Sequence, residues 1–183
     1  MSEVARRVGV TEPVIFQNFG SKAAVFAAVL EAAAERTSAA MEERVAATGS
    51  VAAWLRELLA PEHLQRVHVR GEVGVLFTDA MSLTADPVIA DAARRAHGLI
   101  VPTLTSLLAR GKREGELRPD LEPETAAWWL LSLLASQGFR RAATPGPDGD
   151  RVEAQLAEMT FKTLTGELSR VRRRGAPRRT GWG

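Results

Sequence analysis

Apolar residues recur along this chain at helical spacing almost throughout. Val25, Phe26, Val29, Leu30 and Ala33 fall on one stripe, and strand-like alternation of β-branched residues is scarce. Ala, Leu, Arg and Glu, all strong helix formers, dominate the composition. Cap and breaker residues cut the pattern into about nine helices. The first, residues 2–8, stops at Gly9. The second starts at Thr11 as N-cap, carries Pro13 in its first turn, where a missing N–H costs nothing, and ends at Phe19-Gly20. The third opens behind the cap Ser21 and runs to about Ala47, before Thr48-Gly49; at ~1.5 Å per residue it is roughly 40 Å long. Residues 51–59, 62–69 and 72–83 form three shorter helices. Asp86-Pro87 opens another long helix that ends between Gly111 and Gly115, and Pro102 inside it is expected to kink or split it. Residues 122–142 and 151–174 make the final pair, joined by a loop at 144–149, with a disordered end at 175–183. The fold class is all-α.

The final pair carries surplus apolar surface. In helix 122–142, Ala127, Trp128, Leu131, Leu134 and Ala135 form one face and Trp129, Leu130 and Leu133 another. The last helix carries Val152, Leu156 and Met159, then Phe161, Leu164, Leu168 and Val171. Two such helices either close the core of one protomer or meet a second copy of the chain.

Composition removes several classes of function. With no cysteine, disulfides, thiolate metal sites and cysteine nucleophiles are excluded. Residues 1–10 include Arg6 and Arg7 but no apolar run of a signal peptide. The longest apolar stretch, 126–135, is about half of the ~20 residues a membrane span needs, so a soluble, cytoplasmic protein without membrane contact is expected. The formal charge is +2 and the pI about 9.6, yet Arg170, Arg172, Arg173, Arg174, Arg178 and Arg179 supply the excess, and the rest is acidic. A nucleic-acid reading must therefore rest on a motif and not on global charge. His63, His68 and His97 lack metal-site spacing, and the five-residue step between the first two puts them on different helix faces. No Ser/His/Asp set or Gly-rich phosphate loop stands out, and Glu42-Glu43 sit on a solvated helix. No enzyme activity, metal or cofactor is expected.

The segment 4–22, VARRVGVTEPVIFQNFGSK, is the informative one. A short helix with Val4, Ala5 and Val8 ends at a Gly9 turn, Val10 plugs the core, and Ile15, Phe16 and Phe19 mark the buried face of the next helix. This is a helix–turn–helix pair. Its second helix exposes Thr11, Glu12, Val14, Gln17 and Asn18, short polar or small apolar groups suited to base edges and phosphates in a major groove.

The same stretch resembles the TetR family of regulators, whose members carry IAxxAGVSxGTLYxHFxSKExL. It is matched here without gaps from Val4 through Phe19-Gly20-Ser21-Lys22 to Val25-Phe26. The linker Gly115-Glu116-Leu117-Arg118-Pro119-Asp120 before the penultimate helix also suits the family plan. The resemblance implies an N-terminal helix–turn–helix headpiece (residues 1–38), a helical ligand-binding and dimerisation domain (39–174) and an Arg-containing disordered tail (175–183). It implies that Thr11, Glu12, Val14, Phe16, Gln17 and Asn18 line the DNA-facing helix and that Lys22 meets a phosphate. Position 16 is usually Tyr in the family, and Phe16 lacks the hydroxyl that reaches a phosphate. The family headpiece has one more helix ahead of this segment, so the natural chain is expected to start upstream. The alternative is a truncated headpiece, which would leave a dimeric helical ligand-binding protein without DNA activity.

The resemblance further implies a cage for a small-molecule effector. Trp54, Leu58, Phe77, Met81, Leu104 and Trp128 are the candidates to line it, with Arg70, Glu72 and Asp79 as orienting groups; plain core positions and solvated faces are the other reading. It implies a homodimer through the final helix pair, using Trp128, Leu131, Leu134, Ala135, Leu156, Met159 and Leu164. The expected partners are thus a double-stranded, pseudo-palindromic DNA operator, an effector and a second copy of the chain, acting in repression.

Overall fold

The structure, a computed structural model, describes residues 1–2, 5–6, 9–67, 73–83 and 85–167, without the side chains of Val67, Val73, Val75, Thr78 and Met81. The expectations for Val4, Val8, His68, Arg70, Glu72, Leu168, Val171, the Met81 side chain and the Arg tail lie outside the described residues. Ala5 and Arg6 are helical. The turn after them closes as the Val10 N–H donates to the Ala5 carbonyl at 3.0 Å, with Gly9 at φ +72°. This six-to-one bond around a left-handed residue is a Schellman ending, which only Gly adopts at no steric cost.

Nine helices follow among the described residues: α1 (Glu12–Phe19), α2 (Lys22–Thr48), α3 (Val51–Leu58), α4 (Pro61–Val67), α5 (Val73–Ser82), α6 (Pro87–Arg113), α7 (Pro123–Ala135), α8 (Gln137–Ala143) and α9 (Pro147–Thr165). No strand occurs among the described residues. The caps explain most of the boundaries. The Ser21 and Ser50 hydroxyls accept from the Ala24 and Ala53 N–H groups at 3.1 and 3.0 Å, and the Asp86 carboxylate accepts from Val88 at 2.9 Å. Thr11 holds the N-cap backbone of α1, although its side chain makes no capping bond. The linker after α6 caps α3 from outside: Glu116 accepts from the Ser50 hydroxyl and, at 2.7 Å, from the Ala52 N–H.

Three expectations are corrected. Pro102 does not divide α6, which is continuous. The residue is exposed, so the Gly98 carbonyl whose helical donor it removes faces water. The helix expected at 122–142 is broken at Ser136 into α7 and α8. There the Ser136 hydroxyl donates to the Ser132 carbonyl at 2.7 Å, competing with the Ser136 N–H, which reaches the same oxygen at 3.1 Å. The Arg140 guanidinium then takes up the Leu133 carbonyl at 2.9 Å, and its fork is held by the buried Glu153 carboxylate at 2.6 and 2.9 Å. The last helix starts earlier than residue 151 and is interrupted at Gly166; the remainder of its expected span, 168–174, lies outside the described residues. Pro147 opens it, with Asp148 and Asp150 favourably placed in its first turn. Gly149 lies so close to the Thr144 carbonyl that a Cβ would stand 2.0 Å from it. Gly166, at φ +77°, ends the helix, whose Leu164 carbonyl accepts from the Arg118 N–H at 2.9 Å.

Two apolar clusters form the core. The lower one joins Val45, Trp54, Leu55, Leu104, Leu108, Leu117, Leu130, Phe161 and Leu164, drawn from α2, α3, α6, α7, α9 and the linker. The upper one joins Ala27, Leu30 and Ala34 of α2, Ala80 of α5, and Ile89, Ala92, Ala93, Ala96 and Ile100 of α6. Met41 and Leu131 pack against both. The paired helices α2 and α6 therefore run the length of the body and carry the headpiece at one end.

Candidate nucleic-acid interface and sensor region

The axes of α1 and α2 differ by 74° across the Gly20-Ser21 corner, where Gly20 takes φ +75°. This bend sets α1 across the end of the long helix and leaves most of it uncovered. Ile15 is buried, whereas Val10, Phe16 and Phe19 are about two-fifths exposed. Their expected burial is corrected: of the face formed by Ile15, Phe16 and Phe19, only Ile15 is closed in. The reason is the sparse packing of α1, which meets α2 along one edge.

Thr11, Val14, Phe16, Gln17 and Asn18 are exposed along α1, and Glu12 is half-buried. Thr11, Val14, Gln17 and Asn18 fall at helical spacing and share a face. Lys22 is exposed at the first position of α2, beside the free N–H groups of that helix start. Two of the polar groups have local partners. Asn18 donates from Nδ2 to the Val14 carbonyl at 2.7 Å, and Glu12 accepts from the Ser2 hydroxyl. The side chains of Thr11, Gln17 and Lys22 make no such bond among the described residues. Such a surface, a short exposed helix with a lysine at the following helix start, can lie in a major groove and hold a flanking phosphate.

The five candidate cage residues whose side chains are described do not gather in one place. Trp54, Leu58 and Leu104 belong to the lower core, with Trp54 and Leu104 buried. Phe77 packs at the upper cluster, and Trp128, on α7, is 47% exposed. Phe77 and Trp128 are instead brought together by His97 of α6, which the sequence reading passed over. The Phe77 ring meets it edge-on at 6.3 Å and the Trp128 ring lies nearly parallel at 6.2 Å. No sequence spacing reveals this, because the three residues come from three different helices. Asp79 is exposed on α5. No group of three or more His, Asp or Glu able to hold a metal occurs among the described residues.

Of the candidate contact residues on the final helices, Trp128, Ala135 and Met159 are exposed, Leu131, Leu134 and Leu156 are half-buried, and Leu164 is enclosed in the protomer core. Trp129 and Phe139, the latter 76% exposed, add apolar surface that the residue pattern did not single out as exposed.

The helical turn at Ala5-Arg6, the Gly9 turn and α1 form a helix–turn–helix arrangement at the end of a body that is all helix and turn among the described residues. Residues 1–29 match the model for bacterial regulatory proteins of the tetR family. A TetR family transcriptional regulator from Chloroflexus aurantiacus J-10-FL has a similar structure, with a TM-score of 0.52 and 18% identity over 90% of this chain and 82% of that one. A second similar structure, described as the molecular basis for control of antibiotic production by bacterial hormones, gives a TM-score of 0.53 and 22% identity over 89% of this chain and 85% of that one. No curated protein matches the chain in sequence. The N-terminal segment thus carries the tetR-family sequence pattern, and the fold of the chain is similar to that of these two solved structures. No single described helix is long and apolar enough to cross a membrane.

Proposed function

We propose that this protein is a ligand-responsive repressor that binds a pseudo-palindromic operator as a two-fold dimer. The observation that carries the reading is the exposed face of α1, with Thr11, Val14 and Gln17 on it and Lys22 at the adjoining helix start, inside the segment matched by the family model. Two copies of α1 enter successive major grooves, about 34–36 Å apart. Thr11, Val14, Gln17 and Asn18 meet bases or backbone, Glu12 and Phe16 flank them, and Lys22 meets a phosphate. The headpiece spans residues 1–38 and the effector and dimer domain 39–174. The dimer forms through the final helices, where Ala135, Phe139 and Met159 leave apolar surface open. The hormone control described for one of the similar structures supports an effector-responsive reading here. An effector that favours a different tilt of α2 changes the spacing of the two α1 helices, a coupling of typically ~1–3 kcal/mol.

The test is fluorescence-anisotropy titration of the chain against genomic fragments from around its own gene at two salt concentrations. Tight, sequence-selective, salt-dependent binding is expected. Gln17→Ala relaxes base preference, while Lys22→Ala weakens binding on all sequences and lowers the salt slope by about one. Sequence-indifferent binding by the unaltered chain, or both variants behaving like it, overturns the docking. The exposed Val10, Phe16 and Phe19 favour one other reading, an effector-binding dimer without DNA activity, and that first negative result would select it.

A further inference from the structure

His97 is half-buried on α6, and its Nδ1 lies 2.7 Å from the Ala93 carbonyl one turn back. A carbonyl only accepts, so Nδ1 carries the hydrogen and the neutral ring presents the bare lone pair of Nε2. That acceptor has no partner among the described residues. The imidazole is nevertheless enclosed by aromatic rings, with Phe77 of α5 edge-on and Trp128 of α7 nearly parallel. Both separations fall in the range of attractive ring pairs. Trp128 itself remains 47% exposed, so apolar ring surface lies open close to an unused acceptor. Apolar surface with one placed polar group is the usual make-up of a small-molecule site.

We infer that Phe77, His97 and Trp128 form the recognition point for the effector, and that this effector is a flat aromatic or conjugated molecule donating a hydrogen bond to Nε2 of His97. The inference deepens the effector-responsive reading above and rests on it. The neighbouring turns of the same helix give the site its route to the headpiece. Ala93 and Ala96 of α6 belong to the upper cluster with Leu30 and Ala34 of α2. Arg95 reaches Glu31 of α2 with Nε and Nη2 at 2.8 and 2.6 Å from Oε1. A ligand that shifts α6 at His97 therefore shifts the helix that carries Lys22.

The experiment titrates the full chain by calorimetry with 1-naphthol and with 1-methoxynaphthalene, which has the same rings without the donor. The unaltered protein is expected to bind 1-naphthol about tenfold more tightly than the ether, the scale of one hydrogen bond in a sheltered site. His97→Phe retains the ring and removes the acceptor, so the preference disappears; Trp128→Ala weakens both probes. Equal binding of the two probes, no heat from either at millimolar concentration, or an unchanged preference in His97→Phe overturns the proposal. The two-probe comparison on the unaltered chain holds even where a variant fails to fold. Adding 1-naphthol to the DNA complex separates the two readings. Probe selectivity in a chain that binds no DNA sinks the regulator and leaves the site, whereas operator binding with no probe selectivity does the reverse.

Discussion

The lower and upper clusters of the core hold the same two long helices together with different side chains. Below, α2 and α6 meet through Val45, Leu104 and Leu108, closed over by Trp54, Leu55 and Phe161. Above, next to the headpiece, the contact is made largely of Ala27, Ala34, Ala92, Ala93 and Ala96 around Leu30 and Ile89. Large side chains interlock deeply and bury much area, while alanines let two backbones approach and interdigitate little. The lower half is the anchor. The upper half resists sliding of α6 along α2 less, which is the small shear motion that packed helices use. In the proposed regulator this asymmetry gives a fixed base and a compliant end beside α1.

The comparison breaks most visibly if the base is hollowed. Leu108→Ala removes a fully buried side chain from the meeting point of several elements. A loss of about 3–5 kcal/mol is expected in urea or thermal unfolding. A loss below ~1 kcal/mol would show that the lower cluster is not the anchor. The upper half is sharpened by overfilling. Ala34→Leu adds bulk where α2 and α6 approach, and a loss of about 1–3 kcal/mol is expected. The same wedge should alter operator affinity by more than that of Leu108→Ala at equal folded fraction, as read by anisotropy.

The smallest effect concerns the staple at the base. Burial alone would raise the Glu116 carboxyl, but hydrogen bonds from the Ser50 hydroxyl and the Ala52 and Val51 N–H groups outweigh it and hold the pKa below the ordinary 4.5. A depressed carboxylate stabilises the fold above its ordinary value, and that stabilisation is lost as pH falls through 4.5 and on through the lower folded value. Urea midpoints measured from neutral pH down through this window should fall more steeply for the unaltered chain than for Glu116→Gln. Equal slopes would remove Glu116 from the acid sensitivity. Asp120, held down to about 2 by its hydrogen bond from Arg118, is common to both chains.

Most of the helix boundaries were legible because local chemistry decides them. Ser21, Ser50, Asp86 and Pro13 start helices, and Gly20 and Gly49 end them, without reference to distant residues. The break at Ser136 was not legible, since a serine within an apolar run is tolerated by an intact helix. It becomes a break through Arg140, whose guanidinium is steadied by Glu153 on another helix. The exposed residues of α1 could be named because they lie within one short segment. The meeting of Phe77, His97 and Trp128 could not, because it occurs only after three helices have packed. Phe16 and Phe19 show the opposite limit, since their spacing on α1 is right for burial but little packs over them.

Glu116 has a further consequence, in the order of events during synthesis. The first turn of α3 is sealed by a side chain 66 residues later in the chain than Ser50. As the protein leaves the ribosome, α3 can be formed by its own cap, but this second seal waits until the whole of α6 has emerged. Closing so long a loop is slow compared with local helix formation. The lower core is therefore completed late, as a single step that joins early and late parts of the chain, and a nascent chain halted before Glu116 would keep the α3 end of that core open.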